Sequence, residues 1–205
     1  MKIIAPSVEI LGNPNGNEIL KHLELCGRVC YKSEDRITND SAERFVRMLI
    51  KRGHESVLEH ASLSVRFGVD RGISHEIVRH RIASYSQEST RYCRYGDEIT
   101  VILPPGMEKG SREYDAWYWS CRRAEDAYLD MLSRGVSPQI ARDVLPHSLK
   151  TELIMTANLR EWRHFLKLRT DRAAHPQMRE VAGKLLSRMK AILPVIFEDV
   201  GGDDQ

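Results

Sequence analysis

The densest run of chemically useful side chains is Arg79-His80-Arg81-Ile82-Ala83-Ser84-Tyr85-Ser86-Gln87-Glu88-Ser89-Thr90-Arg91-Tyr92. Three potential cations in a row, then hydroxyls and a further arginine, suit phosphate oxygens. A guanidinium supplies paired charge-assisted hydrogen bonds, and a hydroxyl adds a short one. A bound phosphate ester is the simplest reading. The competing reading is a solvated basic helix end followed by an ordinary loop, because charged side chains are common on surfaces.

A second cluster, GHESVLEH, holds His54, Glu55, Glu59 and His60. A zinc-type HExxH pair puts two histidines at i and i+4 on one helical face, whereas these are six apart, so a shared metal fails on geometry. Taken alone, His54 reads as a polar loop residue at a helix terminus. Cys26, Cys30, Cys93 and Cys121 contain no CxxC pair, and the first two are spaced like one helical turn, so no metal is expected. The third cluster runs from Asn158 to Arg169. On a helix, Phe165 and Leu168 would face the core while Arg160, His164 and, a turn further, Arg169 would crowd one edge. Its alternative is a solvated cationic face. Arg142, just before Val144-Leu145-Pro146, reads by itself as a surface salt-bridge residue.

Several elements must position these groups. Asn39-Asp40-Ser41-Ala42-Glu43 is a helix start, with Asp40 and Glu43 at capping-box spacing, and Gly53 ends that helix. Ser62-Leu63-Ser64-Val65-Arg66-Phe67 alternates as a half-buried strand does. From about Ser111 to Ser133 the stripe Trp117, Cys121, Ala124, Tyr128 and Leu132 predicts a long amphipathic helix closed by Gly135. Ser137-Pro138 and His175-Pro176 place proline at a first helical position, and Val181, Leu185, Met189 and Leu193 mark the inner stripe of the last helix.

The chain has 205 residues, 31 basic and 29 acidic side chains, and a formal net charge of +2. Bulk charge therefore makes no case for nucleic acid or membrane partners. No apolar run approaches the roughly 18 residues that span a bilayer, and no signal-type apolar region follows Met1, so a cytoplasmic protein is expected. No repeat or linker divides the chain, which predicts a single domain over 1–205 with a frayed tail at 201–205.

Arg79-His80-Arg81 followed by Ser84, Ser89 and Arg91 resembles the signature of the flavin-dependent thymidylate synthases, RHRxxS, a variable stretch, then SxR. GHES upstream and ARDVLP and NLREWRHFLKLR downstream resemble further blocks of that family, in the same order, over about residues 20 to 190. The resemblance implies that family's mixed α+β fold, an antiparallel-rich sheet flanked by long helices, with no Rossmann turn. It implies reductive methylation of dUMP to dTMP with FAD as cofactor and with NADPH and 5,10-methylenetetrahydrofolate as cosubstrates. It also implies a homotetramer whose sites combine residues of several subunits.

By the same resemblance, Ser56, Arg79, His80, Arg81, Gln87, Asn158, Arg160 and His164 hold FAD. Glu76, Arg79, Gln87, Ser89, Arg91, Arg142 and Arg169 surround dUMP, with Ser89 and Arg91 near its phosphate and Arg169 against the uracil. Methylating C5 of uracil needs negative charge stabilised on the ring, which a fixed guanidinium at Arg169 provides. Flavin reduced by NADPH supplies the hydride. His54 is a candidate for folate positioning or proton transfer. Ser89 is read as a substrate-binding group near the chemistry, since no neighbouring base would make it a nucleophile. Cys93 lacks an activating neighbour and is read as packing. Two positions depart from the family pattern: Ser86 stands where many members have asparagine, and Ala173 where many have histidine, with His175 close enough in sequence to compensate. The competing functions are a flavoenzyme oxidising NADPH without methyl transfer, and a nucleotide- or RNA-binding protein without catalysis.

Overall fold

The structure, a computed structural model, describes residues 1–201. Of the tail expected to fray, Gly201 is described and the rest lies outside the described residues. Among the described residues six strands occur: β1 (Lys2–Ile4), β2 (Ser7–Ile10), β3 (Ser62–Asp70), β4 (Ser84–Gln87), β5 (Thr100–Ile102) and β6 (Lys150–Asn158). The helices are α1 (Gly16–Val29), α2 (Ser41–Lys51), α3 (Arg71–Ile77), α4 (Arg112–Ser133), α5 (Pro138–Ala141), α6 (Leu159–Arg169), α7 (Pro176–Ile192) and α8 (Pro194–Phe197). Among the described residues, no helix is long and apolar enough to cross a membrane.

The chain clusters into two compact units. The first comprises Met1–Ser7, Phe67–Arg79 and Tyr85–Ile154, the second Val8–Arg66, His80–Ser84 and Met155–Gln205. β3 and β6 each contribute to both. The main sheet has the order β2-β3-β6-β4. β3 and β6 are antiparallel: Leu159 N donates to Ala61 O at one end and Arg71 N to Leu149 O at the other. The mixed α+β class and the antiparallel character expected from sequence both hold. β1 and β5 add a small parallel pair, with Ile3 opposite Val101.

In the first unit, Ile99, Val101, Cys121, Tyr128, Leu132, Ala141 and Leu149 form a buried cluster. The stripe expected on α4 supplies three of them, and Ser111 caps that helix by accepting from Tyr114 N at 3.1 Å. In the second unit α1, α2, α6, α7 and α8 pack together. Val181, Leu185, Met189 and Leu193 are fully buried there, as their spacing required. Leu63, Val65 and Phe67 of β3 point inward as expected, and Trp162 Nε1 donates to Leu63 O at 3.1 Å.

Two local expectations need correction. α2 begins where expected, but the Asp40–Glu43 capping box does not form. Asp40 has φ −122° and ψ 6°, outside the extended region that aims a cap at the helix, and its carboxylate accepts from Thr38 Oγ1 instead. At the other end Gly53, with φ +71°, closes the helix: Gly53 N donates to Ile50 O and His54 N to Leu49 O. This paired closure is the reason for a glycine there. The second correction concerns α6. Its inner arc is Leu159, Trp162, Phe165 and Leu166, whereas Leu168 is 48% exposed. One helical residue advances about 100°, and Leu168 falls just past the edge of that arc.

Candidate active site

The second unit carries a cavity of about 610 Å³ lined by Glu55, Glu59, Ile82, Asn158, Arg160, Glu161, Arg163, His164 and Lys167. Helical spacing explains its wall. Arg160, His164 and Lys167 lie at three- and four-residue intervals on the outer face of α6, so their cationic or imidazole heads converge. Asn158 caps the same helix, its Oδ1 accepting from Glu161 N at 2.9 Å. Arg160 Nη1 sits 2.6 Å from Glu59 Oε1, an exposed pair that raises the arginine's pKa. Arg163 is different. It is buried against Asp199 and Glu55, at 2.6 Å and 3.1 Å. Burial works to lower its pKa, but the two carboxylates outweigh burial and the net shift is upward.

Arg169 does not join Arg160 and His164 on one edge, as expected. It ends α6 on the inner arc, where its Nε donates to His80 Nε2 at 3.0 Å. His80 is buried, and its Nδ1 lies 3.1 Å from Glu161 Oε1. The ring meets Phe165 edge-on with centroids 4.8 Å apart and tilts against His164 at 5.7 Å. Burial pulls the His80 pKa below its usual value; the hydrogen bond His80 donates to the Glu161 carboxylate opposes this, while Arg169 and His164 add to it. His80, Glu161 and His164 bring ligand-type atoms within 4.8 Å of one another. An ion there would need a His80 lone pair, yet one ring nitrogen faces Glu161 and the other accepts from Arg169.

The signature is therefore not a uniform basic helix end. α3 stops at Ile77, Arg79 and Arg81 are exposed, His80 turns inward, and Ser84–Gln87 become β4. Ser86 is exposed on that strand. Ser56 is exposed in a short 3-10 turn, Glu55–His60. His54, exposed just before that turn, serves the α2 closure through its backbone. Ala173 is exposed, its N–H bonded to Asp171 Oδ1 at 2.8 Å. His175 caps α7, its Nδ1 accepting from Gln177 N at 3.2 Å, so that nitrogen is committed.

In the first unit a smaller cavity, about 340 Å³, is lined by Arg71, His75, Thr90, Arg142, Asp143, Leu145, Pro146, His147 and Leu149. Arg142 Nη1 donates to the buried Thr90 hydroxyl at 3.3 Å, while its neighbour Asp143 is 4.0 Å from its Nε. Arg142 thus faces a cavity rather than forming a tight surface pair. Gln87 is oriented by Nε2 contacts to Ser74 Oγ and Thr151 Oγ1, at 3.0 Å and 3.3 Å. Ser89 makes a local turn, its Oγ accepting from Arg91 N at 3.3 Å. Arg91 is exposed with its guanidinium 5.4 Å from the Tyr92 ring centre. Glu76 is half-buried near the end of α3, and Cys93 is half-buried.

Sequence reasoning missed Arg71, His75 and His147 in this cavity and Glu161, Arg163 and Lys167 in the larger one, and it singled out Glu55 and Glu59 only within a rejected metal cluster. Arg71 and His75 are four apart on α3, a spacing that placed them on one face. Glu161, Phe165 and Arg169 have the same four-residue interval along α6. His147 has no local signal; the chain after Pro146 carries it there, with His147 O accepting from Arg71 N at 3.0 Å.

Residues 16–195 match the family described as thymidylate synthase complementing protein. A flavin-dependent thymidylate synthase of Geobacter sulfurreducens is 35% identical over 185 residues, covering 86% of this chain and 80% of that one. One from Mycolicibacterium gilvum is 35% identical over 212 residues, covering 95% and 84%. Among solved structures, the UMP/dUMP methylase PolB from Streptomyces cacaoi, bound with 5-Br dUMP, superposes with a TM-score of 0.78 at 26% identity, over 97% of this chain and 96% of that one. A match over nearly the whole length, in sequence and in fold, places this chain in the flavin-dependent thymidylate synthase family.

Proposed function

We propose that the chain methylates dUMP to dTMP, taking the one-carbon unit from 5,10-methylenetetrahydrofolate and reducing power from NADPH by way of FAD. The observation that carries this reading is the larger cavity. Asn158, Arg160 and His164, assigned to the flavin on resemblance, line it together, and Lys167 adds a further cation. This donor set fits a dinucleotide with a pyrophosphate: two permanent cations, an amide and an imidazole suit anionic oxygens and ring edges. Ser56, Arg79, His80, Arg81 and Gln87 complete the flavin-binding set in this reading.

Glu76, Arg79, Gln87, Ser89, Arg91, Arg142 and Arg169 hold the nucleotide. Arg142, steered by Thr90 and flanked by Arg71 and His75, supplies a cationic surface for an anionic ligand. Arg169 stabilises the negative charge that makes uracil C5 nucleophilic. His54 positions the folate or moves a proton, and Ser89 binds the nucleotide near its phosphate. Bound FAD, reduced by NADPH, supplies the hydride that converts the transferred one-carbon unit to a methyl group. Residues 1–205 act as one module in a cytoplasmic homotetramer whose subunits share sites.

A second substrate, UMP, is favoured by the likeness to PolB, a UMP/dUMP methylase. Chromatography of the product tests both readings: purified protein is incubated with FAD, NADPH, methylenetetrahydrofolate and either dUMP or UMP, omitting each component in turn. dTMP that needs every component establishes the proposal. NADPH consumption without methylated product would replace it with an oxidase, and a faster reaction on UMP would move the substrate.

A further inference from the structure

Three side chains of α6 spaced by four residues, Glu161, Phe165 and Arg169, form a row along one helix face. The His80 ring lies along that row. Its edge meets Phe165, its Nδ1 faces Glu161 Oε1 at 3.1 Å, and its Nε2 accepts from Arg169 Nε at 3.0 Å. Chemistry fixes the direction of both bonds. An arginine Nε carries a hydrogen and no lone pair to offer, so His80 Nε2 must be the bare nitrogen. The ring proton of neutral His80 then resides on Nδ1, and it is donated to the Glu161 carboxylate.

We propose that Glu161 is a positioning residue for Arg169: by accepting the Nδ1 proton it holds His80 in the tautomer whose Nε2 anchors the arginine. Without an acceptor at Nδ1, only the Arg169 Nε–H is left to keep the proton off Nε2, and the buried Nδ1–H would lose its partner. A proton on Nε2 would oppose the Arg169 Nε–H, donor against donor, and remove this anchor of the guanidinium. A carboxylate that fixes an imidazole tautomer is a familiar device, and loss of such a partner characteristically costs about ten- to a hundredfold in function. Glu161 is well suited to it because its backbone is anchored as well: Asn158 Oδ1 accepts from Glu161 N at 2.9 Å. The catalytic consequence rests on the proposed synthase function, in which Arg169 faces the uracil; the tautomer itself does not.

The test uses the ¹⁵N-labelled, FAD-loaded full chain. Long-range ¹H–¹⁵N imidazole spectra report which nitrogen of His80 bears the proton, with His80→Gln identifying the signals. The wild-type protein is expected to show Nδ1–H and a protected Arg169 Nε–H resonance. Glu161→Leu is expected to move the proton to Nε2, to lose the Arg169 resonance, and to lower kcat for dTMP formation, expressed per bound flavin, about tenfold or more. Glu161→Gln, whose amide oxygen can still accept, is expected to restore the tautomer and most of the rate. A wild-type Nε2–H signal overturns the proposal with no variant needed. An Arg169 resonance that persists in Glu161→Leu also overturns it, as does rate loss that merely follows flavin loss. Absence of dTMP formation by the wild-type protein would overturn the synthase reading, while the spectra would still decide the tautomer.

Discussion

Arg169 Nε lies 3.0 Å from His80 Nε2, so the last residue of α6 is tied to the histidine of the RHR signature. The contact joins two blocks that lie 89 residues apart in the chain. Arg160 and His164, on the opposite face of the same helix, look into the larger cavity instead. One helix thus presents two kinds of groups in two directions, which a 3.6-residue period makes unavoidable for residues spaced this way.

Replacing Arg169 with alanine is expected to remove most dTMP formation, on the order of 10²- to 10³-fold in kcat, the usual effect of deleting a preorganised group that stabilises developing negative charge. Flavin absorbance of the purified variant should be retained. Product chromatography beside the visible spectrum separates the two effects, and unchanged turnover would remove Arg169 from the chemistry.

The buried His80 gives a pH dependence with a definite sign. Its pKa is lowered from 6.5, by burial first, with Arg169 and His164 adding and Glu161 opposing. Below 6.5 the unfolded chain takes up a proton that the folded chain resists, so this contribution to stability is fully present above 6.5 and is lost as pH falls through the lower folded value. Thermal unfolding from about pH 8 to 5 should show an acidic decline that is reduced in His80→Gln. An unfolding temperature indifferent to that substitution across the range would show His80 to be charged in both states or in neither.

Arg142→Ala should raise KM for dUMP about ten- to a hundredfold and change kcat less, since it removes a charged contact made before and during the reaction alike. Thr90→Val should have a smaller effect in the same direction, because it only frees the guanidinium it now holds at 3.3 Å. Initial-rate kinetics over a dUMP series checks both, and an unmoved KM would take the smaller cavity away from the nucleotide.

Asp199→Ala should lower stability by about 1–2 kcal/mol, read from the urea midpoint. The carboxylate is half-exposed, which limits its worth, but it faces the buried Arg163 at 2.6 Å. Its pKa is held below 3.8, mainly by the hydrogen bond from Arg163, so the contribution is present above 3.8 and lost on acidification through the lower folded value. Equal midpoints for wild type and variant near neutral pH would show that Glu55 and the Ile196 carbonyl satisfy the arginine without Asp199.

Local patterns carried much of the architecture. Alternation along Ser62–Phe67, the α4 stripe closed by Gly135 and the proline starts of α5 and α7 are decided by residues near in sequence, and all appear where expected. Local pattern was less able to distinguish side-chain roles. Asp40 sits at the expected boundary yet bonds Thr38, because its backbone angles turn the carboxylate away from the helix. Leu168 lies about 60° around the helix beyond Phe165, outside the buried arc, a difference that apolarity alone does not encode.

By itself, the sequence determined the mixed α+β class, the main helices and strands, and the blocks that place the chain in its family, since each depends on short-range periodicity or on a contiguous motif. Tertiary structure decided the partners. That His80 turns inward between Glu161 and Arg169, and that His147 joins Arg71 and Arg142 around one cavity, depends on chain segments far apart in sequence. Such meetings are set by how packed elements bring distant side chains together, and no local spacing specifies them.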